Sequence, residues 1–524
     1  MSTRYTYDGA GNTSSMIDAN GNTTAYAYDA AGRLTSTTDA LAKSVICAYN
    51  DLGQKIRQEN RSDPPLTASI TWTYDGAGRV LNRTANSVTT TSTYDANGNR
   101  LTASDGTLTI TATYDRLNRP LTVDDDDAGT TADTTYTYSL TSPSWTDPTG
   151  TYLVSLDKLD HATSVDGPAI GAITTTYRAD GQLLSQADPN GNTTAYLYDD
   201  LGRESSRTTT AAGPVTRASL ARTFNRAGQV LSETSTITGD PTNGKTDYAY
   251  DPLERLTSFT SPASTTTAYG WDEVPNRTSV QVGAGSPVAT TYDAANRPLN
   301  QNGVSNAYVS DADGRLTTQP SATGTGFQRY EWDSLGRLTK VKNAAGTVTI
   351  VTYSYDPLDR LRLADYGGSN RTRFRYVGLT TSVAQTLDDQ TGAVTRNIGT
   401  AWTGERQLDW TGTNSNIRYY GSNAHHDTVW TASSAGSVSA TLRYDPWGTL
   451  TASTGSSLPD FRFQGSWHDS TTSIAWVVTR WYAPALGRFL SEDSLLGTPS
   501  DPPSRHLYAY AAGEPIGRWD ADGR

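Results

Sequence analysis

The chain has 524 residues, 35% of them hydrophobic and 18% charged, and a net charge of −12. That acidic balance disfavours nucleic-acid binding, which usually shows a basic face, and no apolar run approaches the ~18 residues of a membrane span. The single cysteine, Cys47, excludes an internal disulfide framework and is expected to be a small buried residue.

From Tyr7 onward the phrase Tyr-Asp-x-x-Gly-Arg-Leu recurs, with Tyr7, Tyr28 and Tyr49 separated by steps of 21 residues. A fixed period near 20 residues signals one supersecondary unit copied many times. In Thr24-Ala25-Tyr26-Ala27-Tyr28 large and small residues alternate as in a strand with one packed face. Asp29-Ala30-Ala31-Gly32 follows: Asp suits the start of a type I turn, and Gly suits the left-handed position of a bulged hairpin. Arg33 to Thr38 returns as a second strand, and Asp18-Ala19-Asn20-Gly21-Asn22 is a return turn. Each repeat therefore predicts a β-hairpin that must stack on its neighbours, giving one long sheet that closes or spirals. With 46 Gly, 30 Tyr and 12 Trp, the composition suits a wall one sheet thick, stabilised by aromatic ladders.

Residues 121–170 lose the phrase, and Asp124-Asp125-Asp126-Asp127 reads as a solvated loop tip, with a calcium site as the alternative. The repeats resume at Tyr177 and run to about residue 366. From Phe374-Arg375-Tyr376-Val377-Gly378 the wording changes, so residues 1–373 are read as a repeat shell and 374–524 as a distinct C-terminal region. His425-His426-Asp427 has metal-ligand residue types, but adjacent histidines on a strand face opposite ways and no third ligand is in view. The reading there is structural, and no metal or cofactor is expected.

The C-terminal region carries Arg443-Tyr444-Asp445-Pro446-Trp447-Gly448, Phe461-Arg462-Phe463-Gln464-Gly465, Arg480-Trp481-Tyr482 and Gly487-Arg488-Phe489-Leu490-Ser491-Glu492-Asp493. Trp519-Asp520-Ala521-Asp522-Gly523 closes it. On these motifs the chain resembles the Rhs/YD-repeat proteins, and its end resembles the Rhs repeat-associated core. The resemblance implies an all-β fold: repeat hairpins wound into a spiral sheet around a hollow cocoon or barrel, closed by an inward-curling core segment. Bacterial members hold a variable C-terminal toxin inside the shell as cargo, and their core cuts the chain just after Asp-Pro-x-Gly-Leu.

Carried onto this sequence, the resemblance makes Asp493 and Asp520 the aspartic self-cleavage pair, within a cleavage segment at 480–524 and with the cut after Arg524. Two close carboxylates separate their pKa values, so that one activates water while the other protonates the leaving side. Arg488 is assigned as the residue that positions and charges them. The chain departs from the family at Ser494, Gly513, Ala521 and Arg524. It opens inside a repeat, which points to a natural beginning upstream, and it ends where the family's cut would fall; it reads as a cleaved shell or one ended to match it.

The expected partners are the chain's own toxin and a second Rhs- or TcB-like shell protein or secretion-system component, without nucleic acid or a membrane span. Secretion or delivery by a bacterial injection system goes with that reading, although Met1-Ser2-Thr3 opens no signal peptide. The alternative is an adhesion or carbohydrate-binding YD-repeat surface protein without enzymatic activity, which needs an aromatic patch on its outer face. A third reading is a purely structural partial shell, since about 25 repeats are few for closure without a partner.

Overall fold

A computed structural model describes residues 2–60, 69–125, 133–168, 171–213, 215–321, 326–400, 406–412, 415–495, 497 and 502–523. Among these there is no α-helix; strands and three short 3-10 turns make up the regular structure. No helix is long and apolar enough to cross a membrane. The strands form sheets of 28, 14 and 4 strands, spanning Arg4–Gln301, Val309–Thr454 and Trp467–Phe489. Pairing is antiparallel between consecutive strands, so each large sheet is a meander of hairpins. The ladder runs on through residue 374, so the change of wording there brings no change of sheet.

The repeated phrase accounts for the hairpin atom by atom. Asp29 Oδ1 accepts from the N–H groups of Ala31 and Arg33 at 3.0 Å each, and Gly32 N–H closes the turn onto Asp29 O at 2.9 Å. Gly32 has φ +76°, and the register slips by one between Ala27 and Tyr28, as a bulged hairpin requires. Arg33 pairs with Asp29 Oδ2 at 2.6 Å, then reaches the next repeat: Nη1 donates to Asn50 O at 2.8 Å and the guanidinium lies over the Tyr49 ring. Tyr49 Oη donates back to Leu34 O at 2.8 Å. Trp271 and Trp332 substitute for tyrosine because their indole N–H makes the same bond, to Leu256 O and Leu316 O at 2.8 Å. Each repeat is thus tied to the next by side chains as well as by the ladder.

Ala42 occupies the turn position of Gly32 with φ 61°, a left-handed conformation that costs a residue with a Cβ about 1–2 kcal/mol. Ala42→Gly is expected to stabilise the protein by about 0.5–1 kcal/mol after the added unfolded-state entropy is deducted. Chemical denaturation would record this as a higher midpoint at unchanged slope.

The sheet winds back over itself. Asn20 Nδ2 donates to Asp272 Oδ2 at 2.9 Å, Asn60 Nδ2 to Ser334 O at 3.0 Å, and Arg207 Nη1 to Ser422 O at 2.7 Å. Arg83 pairs with Asp359 at 2.6 Å and Arg443 with Asp240 at 2.6 Å. In several of these contacts the Tyr-Asp turns of a later winding rest on the return-turn side of an earlier one. Leu358, in one such turn, packs against Leu108, Ile110, Ala112 and Val123. The equivalent leucines of the first winding are uncovered: Leu52, Leu117, Leu159 and Leu201 are 81%, 71%, 70% and 74% exposed.

The early strands are half-exposed along their length, as a single-sheet wall should be. Cys47 follows this pattern: it is half-buried rather than buried, and burial still pushes its thiol up. The dense core lies where the C-terminal segment packs across both large sheets. Trp467, Trp476 and Trp481 join Tyr353, Phe374 and Tyr376, while Tyr482, Phe489 and Tyr510 join Leu256, Tyr269 and Trp447. Leu316 N–H donates to Leu490 O at 2.8 Å, hooking this segment to the second sheet. Asp126 and Asp127 of the acidic run lie outside the described residues; Asp124 ends a strand and Asp125 N–H donates to Asp133 Oδ2 at 3.0 Å.

Candidate functional site

Arg480 opens the strand Arg480–Ala483, whose four residues are all buried. An arginine among Trp481, Tyr482 and Ala483 needs anionic partners, because an unpaired buried charge is costly. Its partners are the two aspartates singled out by sequence. Arg480 Nη2 lies 2.8 Å from Asp493 Oδ2 and 3.6 Å from Asp520 Oδ2, with the three side chains 7%, 15% and 11% exposed. Burial pulls the guanidinium pKa down, opposed by Asp493, Asp520 and Asp522. Phe489 carries the guanidinium on its ring face, 3.7 Å from the centroid, and Arg480 Nη1 donates to Leu507 O at 3.0 Å.

The chain end is bound to the same group. Gly523 O accepts from Arg480 Nε and from Thr479 Oγ1, the latter at 2.9 Å, while Gly523 N–H donates to Asp520 Oδ1 at 2.8 Å. Gly523 has φ +73°, and a Cβ there would come within 2.3 Å of Val477 O, so only glycine fits. Asp493 is fixed by its N–H to Leu507 O at 2.8 Å and by accepting from Leu495 N–H at 2.8 Å. Two carboxylates, one cation and the peptide group of residue 523 therefore share one buried corner. Arg524 lies outside the described residues.

Arg488, expected to position the two aspartates and tune their charge, is elsewhere. Its Nη2 donates to Asn296 O at 2.7 Å and its guanidinium lies between the rings of Tyr292 and Tyr508. It fastens the core segment to the wall, and Arg480 occupies the position assigned to it. The signal available in the sequence was a charged residue at the head of an aromatic strand.

His425 and His426 stand in a turn rather than on a strand: Asn423 N–H bonds Asp427 O at 3.0 Å and His426 takes φ 65°. His425 Nδ1 meets Asp427 Oδ1 at 2.9 Å, and Gln464 N–H donates to that oxygen at 2.9 Å. His425 and Asp427 border a cavity of about 500 Å³ that also touches Arg222, Glu233 and Arg443 but neither of the paired aspartates.

Two other histidines contribute to the acid response. Burial depresses His506 to about 3 and His468 to about 4, and His506 is held neutral by Asn276 Oδ1 at 2.9 Å and Tyr508 N–H at 3.3 Å. The folded state thus binds fewer protons than the unfolded chain, so this stability is present above pH ~6.5 and is lost as pH falls towards 4 and then 3. Asp188, raised by burial to about 6, acts in the opposite direction as pH falls. The expected loss for His468 alone is roughly 3 kcal/mol by pH 4. Melting temperatures from pH 7.5 to 4 would record it, with a shallower slope in His506→Gln.

The family model for the teneurin YD-shell matches residues 214–516, and the RHS repeat model matches 7–43 and 177–215. A tRNA3(Ser)-specific nuclease WapA of Bacillus spizizenii is 29% identical over 280 residues, and a tRNA nuclease WapA of Bacillus subtilis is 27% identical over 280. Each alignment covers 52% of this chain and 12% of the relative, so the chain spans about one eighth of the relatives' length. Among solved structures, TcdB2-TccC3 without its hypervariable C-terminal region superposes at TM-score 0.70 and 19% identity, covering 100% of this chain and 28% of that one. The Photorhabdus luminescens Tc holotoxin pore gives 0.56 at 16%, covering 99% and 33%.

Proposed function

This chain belongs to the teneurin YD-shell family, and on that premise we propose that it is the shell of a bacterial Rhs-type toxin. In this reading it holds a C-terminal effector as cargo and frees it from the chain by a single aspartic self-cleavage after Arg524. The observation that carries the reading is the corner in which Asp493 and Asp520 share Arg480 while Arg480 also holds the Gly523 carbonyl. A peptide running on from Gly523 starts beside both carboxylates. A water there gives one proton to the ionised carboxylate as its oxygen adds to the Arg524 carbonyl carbon. The C–N bond then breaks, and the protonated carboxyl delivers its proton to the departing nitrogen.

A TcB-like second shell protein, and secretion or injection of the assembly, belong to the same proposal. The Tc complexes among the structural neighbours and the tRNA-nuclease relatives support it. The adhesion reading needs outward aromatics, whereas the large exposed apolar side chains among the described residues are mostly leucine and valine, with Tyr7 and Trp519 the aromatic exceptions.

The test is a chain continued past residue 524 into a reporter domain and purified with protease inhibitors. It is expected to yield a fragment ending at Arg524 at a rate independent of protein concentration, as cleavage in cis requires. An uncut chain, or a rate that rises with concentration, rejects the self-cleavage reading.

A further inference from the structure

Between Arg518 and Gly523 the chain forms no strand or helix, so side chains set the course of the backbone that aims Asp520. Gln464 supplies a two-point contact. With its amide oriented as the surrounding donors and acceptors require, its Oε1 accepts from Asp520 N–H at 3.0 Å and its Nε2 donates to Asp520 O at 3.1 Å, while Tyr510 Oη donates to the same Oε1. This amide pairs with residue 520 as a neighbouring strand would, which fixes rotation on both sides of the Asp520 Cα. Two residues upstream, His425 Nε2 meets Arg518 O at 3.0 Å.

Gln464 is itself held in an uncommon state. It is 7% exposed with φ 52° and ψ 27°, inside the short turn Phe463–Gly465. A left-handed non-glycine residue costs about 1–2 kcal/mol and persists only where its surroundings impose it. They do so here: Arg462 N–H bonds Ser466 O and Gly465 N–H bonds Arg462 O, both at 3.0 Å, while Gln464 N–H bonds Asp427 Oδ1 at 2.9 Å. Asp427 is tied in turn to His425 and, through Asn423 Nδ2 at 2.8 Å, to its own turn.

We infer that Gln464 is a positioning residue of the cleavage site, clamping the Asp520 backbone so that its carboxylate meets Arg480, with His425 and Asp427 as the frame that holds the clamp. The inference rests on the self-cleavage reading for its effect on rate but not for the clamp itself. A displacement of about 1 Å at a reacting group can cost 10²-fold in rate.

In the reporter-extended chain, Gln464→Met keeps the volume and loses both hydrogen bonds, and is expected to cut about 10- to 100-fold more slowly. Gln464→Glu keeps the acceptor but lacks the donor while ionised. Its rate relative to the parent is expected to recover as pH falls through the carboxyl range near ~4.3, whereas that of Gln464→Met is not. The new carboxyl would face Tyr510 and the Asp520 peptide, with Asp427 at its own N–H. A Gln464→Met chain that cuts at the parental rate, or a Gln464→Glu chain that follows Gln464→Met at every pH, overturns the inference.

Hydrogen exchange gives an independent decision in an Asp493→Asn background. Faster exchange of the Asp520 and Gly523 amides on adding Gln464→Met supports the clamp, and unchanged exchange overturns it. If the parent fails to cut, the cleavage reading falls alone and the exchange result still decides the clamp.

Discussion

Asp493→Asn and Asp520→Asn are each expected to slow self-cleavage of the extended chain by about 10²- to 10⁴-fold, leaving full-length protein as the main species. Asparagine keeps the shape but can neither take a proton from water nor deliver one to the leaving nitrogen. The wall should fold as before, since none of its hairpins is built on either residue; unchanged circular dichroism and melting of the sheets would check this. The competing account is an outside protease with a taste for arginine, because Arg524 is the residue before the proposed cut. That account predicts equal processing of both variants. A fragment ending at Arg524 from Asp493→Asn, purified with protease inhibitors, would therefore remove the aspartates from the chemistry. Arg480→Met should also stop the cut, for a different reason: it leaves two buried carboxylates without their shared cation, at a cost of about 3–5 kcal/mol.

Trp481→Ala is expected to cost about 3–5 kcal/mol of stability. Trp481 is 2% exposed, lies against Tyr353 at 4.3 Å between centroids, meets Trp467 edge-on, and donates Nε1–H to Tyr355 Oη at 3.0 Å. It is thus a main rivet between the C-terminal segment and the second sheet. The damage should be local, because the hairpins of the first winding have their own ladders and do not touch this residue. Limited proteolysis would read the difference: cutting within 461–523 should rise sharply in the variant while 2–300 stays resistant. In the parent, residues 490–523 should be trimmed slowly. Rapid trimming would mean that the tail does not lie packed as described.

The hairpin was legible because Asp29 and Gly32 do their work within one turn, where sequence neighbours are spatial neighbours. Less legible were Arg33 and Tyr49, whose bonds cross to the adjacent repeat, even though the same residues recur for that reason. Asp493 and Asp520 were singled out by motif, and the structure brings them to one guanidinium. Arg480 was missed and Arg488 chosen because nearness in sequence is a poor guide across an antiparallel ladder. Ala483 pairs with Arg488, so the strand Arg480–Ala483 runs back past the motif, and Phe489 delivers its ring beneath Arg480. Gln464 had no sequence signal beyond its place in Phe461-Arg462-Phe463-Gln464-Gly465. Its role depends on a left-handed turn that no propensity favours for glutamine.

The leucines left uncovered on the first winding have a counterpart in Leu358, which sits on the return-turn side of the winding before it. The two rims of the sheet are unlike, so their contact is heterologous: one kind of surface meets a different one. The wall therefore has a polarity, like a screw thread. One rim seats on what came earlier and the other receives what comes later, and two copies meeting by the same rim would not mesh. Leu52, Leu117, Leu159 and Leu201 thus present the kind of rim that Leu358 presents where it is covered by the winding before it.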